Sequence, residues 1–379
     1  MSAITENQSQ IVSPLEPVLT GTLRGFLLFE ISESIHLERL RELLGVHLSR
    51  REPAFGHSAP EYVRFQRPPV VEIIASRGFT SVGLVDVRIR YFDYGVASVD
   101  LSRPFNSSWA DLVQLAQHWI TSPELENSAV GLLHQALERT GSALEKPHSH
   151  WISEDYFLVQ VDPFSDTSGR TTTAEQLLRE AGREIAQIVR GEANPLSSSE
   201  CGEVLQSSMS YYATDLLVLG WTAAFIYDNR AASEPTIDLL EYANTQLLEF
   251  RYYDDVLTKV LAGVYKRLEG RHSMWERWRM AREAQTLNTI RLDYQELVER
   301  TENAIKFLGD MFYARVYRLA AARIGVSDYR NLVSEKLATA RDLYDTLINE
   351  FHQGRAFFLE AAVVVILIVE IVFLLIGKH

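Results

Sequence analysis

Near the C-terminus, residues Phe357 to Ile376 read FFLEAAVVVILIVEIVFLLI, and no other stretch restricts the chain so strongly. A run of about 20 mostly apolar residues has the length of a helix that crosses a bilayer. Arg355 before it and Lys378 after it stand where long cationic side chains snorkel to the two interfaces. Glu360 lies near the entry end. Glu370 falls inside the run, where a carboxyl is costly and turns toward another helix or a wet cavity. The run predicts one C-terminal membrane anchor over 357–376, a short tail at 377–379, and the rest of the chain on one side. A buried helix of a large soluble core is the competing reading, and so long an apolar run seldom serves it.

The charge is uneven. Of the net −13, residues 1–235 hold 18 Lys+Arg against 30 Asp+Glu, a balance of −12, and residues 236–379 are close to neutral. An acidic front half lacks the basic footprint that DNA binding or attraction to anionic lipid requires. Cys201 is the only cysteine, which excludes an intramolecular disulfide and a thiolate metal cluster. Residues 1–19 have neither the basic-then-apolar build of a signal peptide nor the Arg-rich build of a transit peptide, and read as a flexible N-terminus. These features predict a single-pass protein of a bacterial inner membrane, its bulk cytoplasmic and its C-terminus across the bilayer.

Residues 20–235 read as an α+β head. RGFLLFEI (24–31), VVEIIA (70–75), the stretch 82–101, DYFLVQVD (155–162), TDLLVLGW (214–221) and TAAFIYD (222–228) are β-prone. In Val85-Asp-Val-Arg-Ile-Arg-Tyr91 apolar and charged residues alternate as in a half-buried strand. Asp93-Tyr94-Gly95 supplies a turn between paired strands. Helical patterns occupy 36–44, 108–120 behind a Ser107-Ser108 cap, 124–139 and 174–190. Residues 50–69 read as an exposed connection.

Residues 236–356 read as three antiparallel helices of a coiled-coil stalk. The first starts after Pro235 with Thr236 as its cap. Leu240, Ala243, Leu247, Phe250, Leu257 and Leu261 recur at spacings of three and four, with Asp254 as an acidic interruption. Gly325 ends the second helix and Ser327 opens the third. At the tip, Trp275 and Trp278 with Arg277, Arg279 and Arg282 have the aromatic and cationic character of a membrane interface or a phosphate contact.

The stretch Leu239-Leu-Glu-Tyr-Ala-Asn-Thr-Gln-Leu-Leu-Glu-Phe-Arg-Tyr-Tyr-Asp254 resembles the motif of the required-for-meiotic-nuclear-division family, a domain of unknown function. So do Tyr91–Ala97, Gly220-Trp221, and Arg355–Glu360 leading on to Glu370. The resemblance makes Glu241, Glu249, Arg251, Tyr252, Tyr253 and Asp254 the motif residues. It implies a membrane-anchored protein that tends to large homo-oligomers, with mitochondrial members on the inner membrane supporting translation. It brings no catalytic residue and no cofactor.

The residues themselves support little chemistry. Arg251 and Asp255 stand one helical turn apart and can pair. Glu249 and Asp254 lie on different parts of that helix, so a metal site would need ligands from elsewhere. His148 and His150 read as exposed loop histidines and Cys201 as an incidental thiol. No phosphate loop, dinucleotide glycine pattern, nucleophile elbow or zinc motif is present. The reading that follows is a membrane-anchored homo-oligomeric scaffold whose acidic head recruits an unidentified protein partner. The alternatives are a translation-linked tether of ribosomes or RNA, and a hydrolase-type enzyme using carboxylates such as Asp86, Asp93 and Asp100.

Overall fold

The computed structural model describes residues 18–45, 68–79, 83–165, 169–268, 289–292, 294–299 and 311–376. The N-terminal 1–17, most of the 50–69 connection, the Trp275–Arg282 tip and the 377–379 tail lie outside the described residues.

An eight-stranded sheet forms the centre. Its strands are β1 (Leu19–Glu30), β3 (Val70–Phe79), β4 (Gly83–Tyr91), β5 (Val96–Ser107), β7 (Ser153–Val161), β8 (Ser208–Met209), β9 (Leu216–Leu219) and β10 (Ala223–Tyr227). They lie in the order β3-β4-β5-β1-β7-β10-β9-β8. Every neighbouring pair is antiparallel except β7 with β10. Two short strands, β2 (Ser32–Ile35) and β6 (Leu144–Pro147), pair separately.

One face of the sheet is dry. Leu23, Leu27, Val87, Ile89, Val99, Leu101, Val159 and Phe225 point into it and pack under α1 (Leu37–Leu44), α2 (Trp109–Ile120), α3 (Pro123–Thr140), α4 (Ala174–Arg190) and α5 (Ser198–Leu205). Local chemistry starts α2, α3 and α4 close to where they were expected. Ser108 Oγ accepts the Asp111 amide at 3.2 Å, Pro123 occupies the first turn of α3, and Thr173 with Gln176 forms a capping box ahead of α4. Between β4 and β5, Phe92 donates to the Val96 carbonyl at 2.9 Å and Gly95 takes φ 99°. A Cβ on Gly95 would run into the Ser32 carbonyl oxygen, so this turn requires glycine.

The other face carries α6 (Arg230–Leu268), with α7 (Met311–Ile324) and α8 (Val326–Ile376) outside it. Pro235 lies inside α6 instead of ahead of it. A proline removes only its own N–H and is tolerated near a helix start, and Asn229 caps the turn before it, its Oδ1 accepting the Ala232 amide at 2.9 Å.

Two expectations are overturned here. The architecture is mixed α/β around one large sheet, where an α+β head on a separate coiled-coil stalk was expected. Leu240, Ala243, Leu247, Phe250 and Leu257 of the α6 seam are buried in one core with Phe26, Leu28 and Leu158 of the sheet. The spacing of three and four marks a buried helix face without saying whether strands or helices cover it. Second, among the described residues no helix is long and apolar enough to cross a membrane. In α8 the side chains of Val363–Val369 are apolar and exposed. The first part of the same helix packs Val333 and Ala340 inward. The transmembrane anchor and the tail-anchored topology are therefore withdrawn.

Candidate functional site

On β4, Arg88 and Arg90 alternate with Val87, Ile89 and Tyr91, and on β5 Ser98, Asp100 and Ser102 alternate with Val99 and Leu101. The apolar set enters the dry face, so the polar set and Arg24 of β1 line the face beneath α6. On α6, Glu234, Asp238 and Glu241 recur at four and three, which puts them on one side of a helix. Docking brings the two sets together.

Asp100, with no exposed surface, sits between Arg24 Nε at 3.1 Å and Arg88 Nη2 at 3.0 Å. Arg24 Nη1 reaches on to Glu234 at 3.3 Å. Arg90 Nη1 donates to Asp238 at 2.6 Å and to Glu241 at 2.5 Å. Burial pushes the Glu241 carboxyl up to about 7 against the opposing pull of Arg90. Burial alone would lower Arg90, but Glu241, Asp238 and Asp100 outweigh it and its pKa is raised. Three guanidinium groups thus face four carboxyls. Sliding α6 by one turn would strand charges on both sides, so the network fixes the register of helix on sheet.

Along α6 the same face continues to a second cluster at the end of β1. Glu30 is buried, hydrogen-bonded to Glu249, and burial lifts its carboxyl to about 8 despite that bond. Two carboxyls in one buried hydrogen bond hold a proton between them. His148 Nε2 stands 3.6 Å from Glu30, its pKa lowered by burial, and its ring lies 4.9 Å from that of Tyr252. Arg251 pairs with Glu154 and donates to the Ser153 carbonyl at 3.3 Å. A small cavity of about 150 Å³ opens beside this pair, with Glu126 and Asp155 on its wall. Burial and Glu126 raise the Asp155 carboxyl.

Each motif residue of α6 can now be placed. Glu241 meets Arg90, Glu249 meets Glu30, Arg251 meets Glu154, Tyr252 lies by His148, and Tyr253 stands edge-on to Tyr252 at 5.6 Å. Asp254 pairs with Lys336 of α8 at 2.5 Å. Arg251 does not pair with Asp255, which binds Lys259 instead. His150 is exposed, but His148 is half-buried, against expectation. Cys201 is buried. Of the three carboxylates named for an enzyme, Asp100 lies in the network, Asp86 accepts from Ser76 at 2.6 Å, and Asp93 offers its carbonyl to Ile35. The fold does not bring the three together in one site. Glu370 is exposed, while Glu360 belongs to the stretch whose side chains lie outside the description. Trp275, Arg277, Trp278, Arg279 and Arg282 lie outside it entirely. Among the described residues no group of three or more His, Cys, Asp or Glu is placed to hold a metal ion.

Sequence reasoning missed Arg24, Glu30, Arg88, Arg90 and Glu154. The alternation in 85–91 was legible, but it reads equally as a strand facing water. The signal that distinguishes the two is the acidic spacing 234–238–241, which matches the arginines only once helix and strand are superposed.

A family model for the N-terminal domain of the uncharacterized protein MJ0711 matches residues 20–234, more than half of the chain, and its match ends inside α6. The uncharacterized protein MJ0711 of Methanocaldococcus jannaschii is 20% identical over 361 residues, covering 94% of this chain and 98% of that protein. No solved structure matches.

Proposed function

The chain belongs to the family defined by the N-terminal domain of the uncharacterized protein MJ0711, and on that premise we propose that it is a homo-oligomeric scaffold assembled through the C-terminal part of α8. The observation that carries this reading is the run Val363–Val369, seven consecutive apolar side chains between 49% and 62% exposed. Seven successive residues make nearly two helical turns, so the apolar surface points in every direction around the axis. A helix apolar on all sides is stable when surrounded, and one partner helix covers only one side. A bundle of the same helix from several copies covers them all. The resemblance to a family of homo-oligomers, stated above for Leu239–Asp254 and Arg355–Glu370, favours the same reading. The motif charges also favour it, because they are spent on holding α6 to the sheet and to α8. The acidic residues 1–235 are then the surface offered to partner proteins.

Light scattering on the full-length chain tests this. The expected result is a discrete multimer at micromolar concentration. Replacing Val365, Ile366 and Val369 by glutamine should return it to a monomer with an unchanged far-UV circular dichroism spectrum. A wild-type monomer, or a monomer that instead partitions onto phospholipid vesicles, would sink the reading.

A further inference from the structure

Between the helical residues 294–299 and the first turns of α8 lies a cavity of about 470 Å³, against about 150 Å³ beside Arg251. That volume falls in the ~300–1,000 Å³ range of small-molecule sites. From α8 it is lined by Ser327, Arg330, Asn331 and Ser334, a spacing that puts side chains on one stripe of a helix. Gln295 and Val298 stand opposite, one turn apart. Tyr294 joins the two walls. Its hydroxyl donates to the Arg330 carbonyl at 3.0 Å, and its ring meets Phe250 of α6 edge-on at 6.1 Å.

Facing helices ordinarily close over apolar side chains, and α8 does so on another stripe, where Val326 and Val333 are buried in the core. The cavity stripe carries a guanidinium, a carboxamide and two hydroxyls, and Gln295 adds a second carboxamide. Among the described residues Val298 is the one aliphatic side chain in the lining, and no carboxylate joins it, in a chain of net charge −13. Asp328 and Glu335 of α8, and Glu296 and Glu299 opposite, are near in sequence but stand outside the lining.

One positive charge with no negative charge selects an anion. Arg330 is half-buried, and a guanidinium fork holds phosphate through two parallel hydrogen bonds. Ser327 and Ser334 are seven residues apart, roughly 10 Å along the helix at 1.5 Å per residue. A lone phosphate or carboxylate does not bridge that length. The rest of the ligand extends along hydroxyls and carboxamides, which both donate and accept, and a hydroxyl-bearing carbon skeleton does the same. A single valine leaves little surface for an apolar tail or a nucleobase.

We propose that this cavity binds a phosphorylated polyol, with Arg330 on the phosphate and the hydroxyl and carboxamide side chains on the polyol. The same chemistry occurs on a free sugar phosphate and on the headgroup of an inositol lipid, so the test has two arms. In the first, the full-length chain is titrated calorimetrically with myo-inositol monophosphate. The expected result is saturable binding at millimolar concentration or below, competed by inorganic phosphate and about tenfold or more tighter than myo-inositol. Arg330→Gln should weaken it about tenfold or more. Arg330 also acts electrostatically on the buried Tyr317, so Ser334→Val, at an exposed position, is the second variant. It should weaken binding severalfold with an unchanged circular dichroism spectrum.

In the second arm the protein is sedimented with phosphatidylcholine vesicles, with and without phosphatidylinositol. Heat from the soluble ester assigns a free metabolite. Sedimentation that requires phosphatidylinositol, without that heat and weakened by Ser334→Val, assigns the lipid headgroup. Neither heat nor sedimentation overturns the proposal. Binding that both variants leave unchanged overturns it too, by placing the ligand elsewhere, as does myo-inositol that binds as tightly as its phosphate.

Discussion

Arg90 holds two carboxyls at once, and one of them, Glu241, keeps 1% of its side chain exposed. Removing one partner of a buried ion pair leaves an uncompensated charge and typically costs about 3–5 kcal/mol. Arg90→Met should therefore lower the urea-unfolding free energy by that amount. Glu241→Gln, which removes the charge that needs a partner, should cost clearly less. Glu30 makes a separate prediction. Its folded-state pKa of about 8 lies above its ordinary value of 4.5, so the fold stores the protonated form. Its contribution to stability is complete below pH 4.5 and is lost as pH rises through 8. Glu241 acts in the same direction, its share lost between 4.5 and about 7. The melting temperature should fall as pH rises from 4.5 and level off above about 8, and Glu30→Gln should remove the last part of that fall, above about 7. An identical slope in the variant would place the pH dependence elsewhere. At this scale the sequence exposed the α6 motif but not its partners, since Glu30 and Arg24 sit in strands whose neighbours come from distant segments.

Elements were read better than their partners. The pattern over 174–190 coincides with α4, and the turn at Asp93 and the break at Gly325 stand where local chemistry put them. Short pieces such as β2, β6 and α5 escaped, because four to eight residues carry too little periodicity to stand out. Gly325 tests how much one such break matters. It takes φ 95°, and a Cβ there would lie 3.1 Å from the Trp221 ring. Left-handed backbone costs an L-residue about 1–2 kcal/mol before any contact is counted. Gly325→Ala should lose at least that in urea unfolding and loosen the corner between α7 and α8, seen as a change in Trp221 fluorescence. A neutral substitution would mean that the corner relaxes freely. The heptad of α6 shows the limit of such reading, because its buried stripe is the same whether a helix or a sheet lies underneath.

For the whole molecule, the charge balance bears on assembly. Residues 1–235 carry −12, so copies brought together repel each other through their sheet domains. Raising salt from about 0.01 M to 0.15 M shortens the screening length from ~30 Å to ~8 Å. Sedimentation should show the multimer favoured several-fold at the higher salt, and weakening with salt would mean that ion pairs hold it. The long-range order of the sheet was the part hidden from the sequence, because spacing along a chain does not state which strands meet. That order has a consequence for how the protein is made. β1 leaves the ribosome first yet occupies the middle of the sheet, between β5 and β7. Its second neighbour is complete only after Val161 has been added. At ~5–20 residues per second, a strand buried on both faces waits on the order of ten seconds for its partner. During that interval the nascent chain is at its most vulnerable, and a chaperone that shields β1 would protect the yield of folded protein.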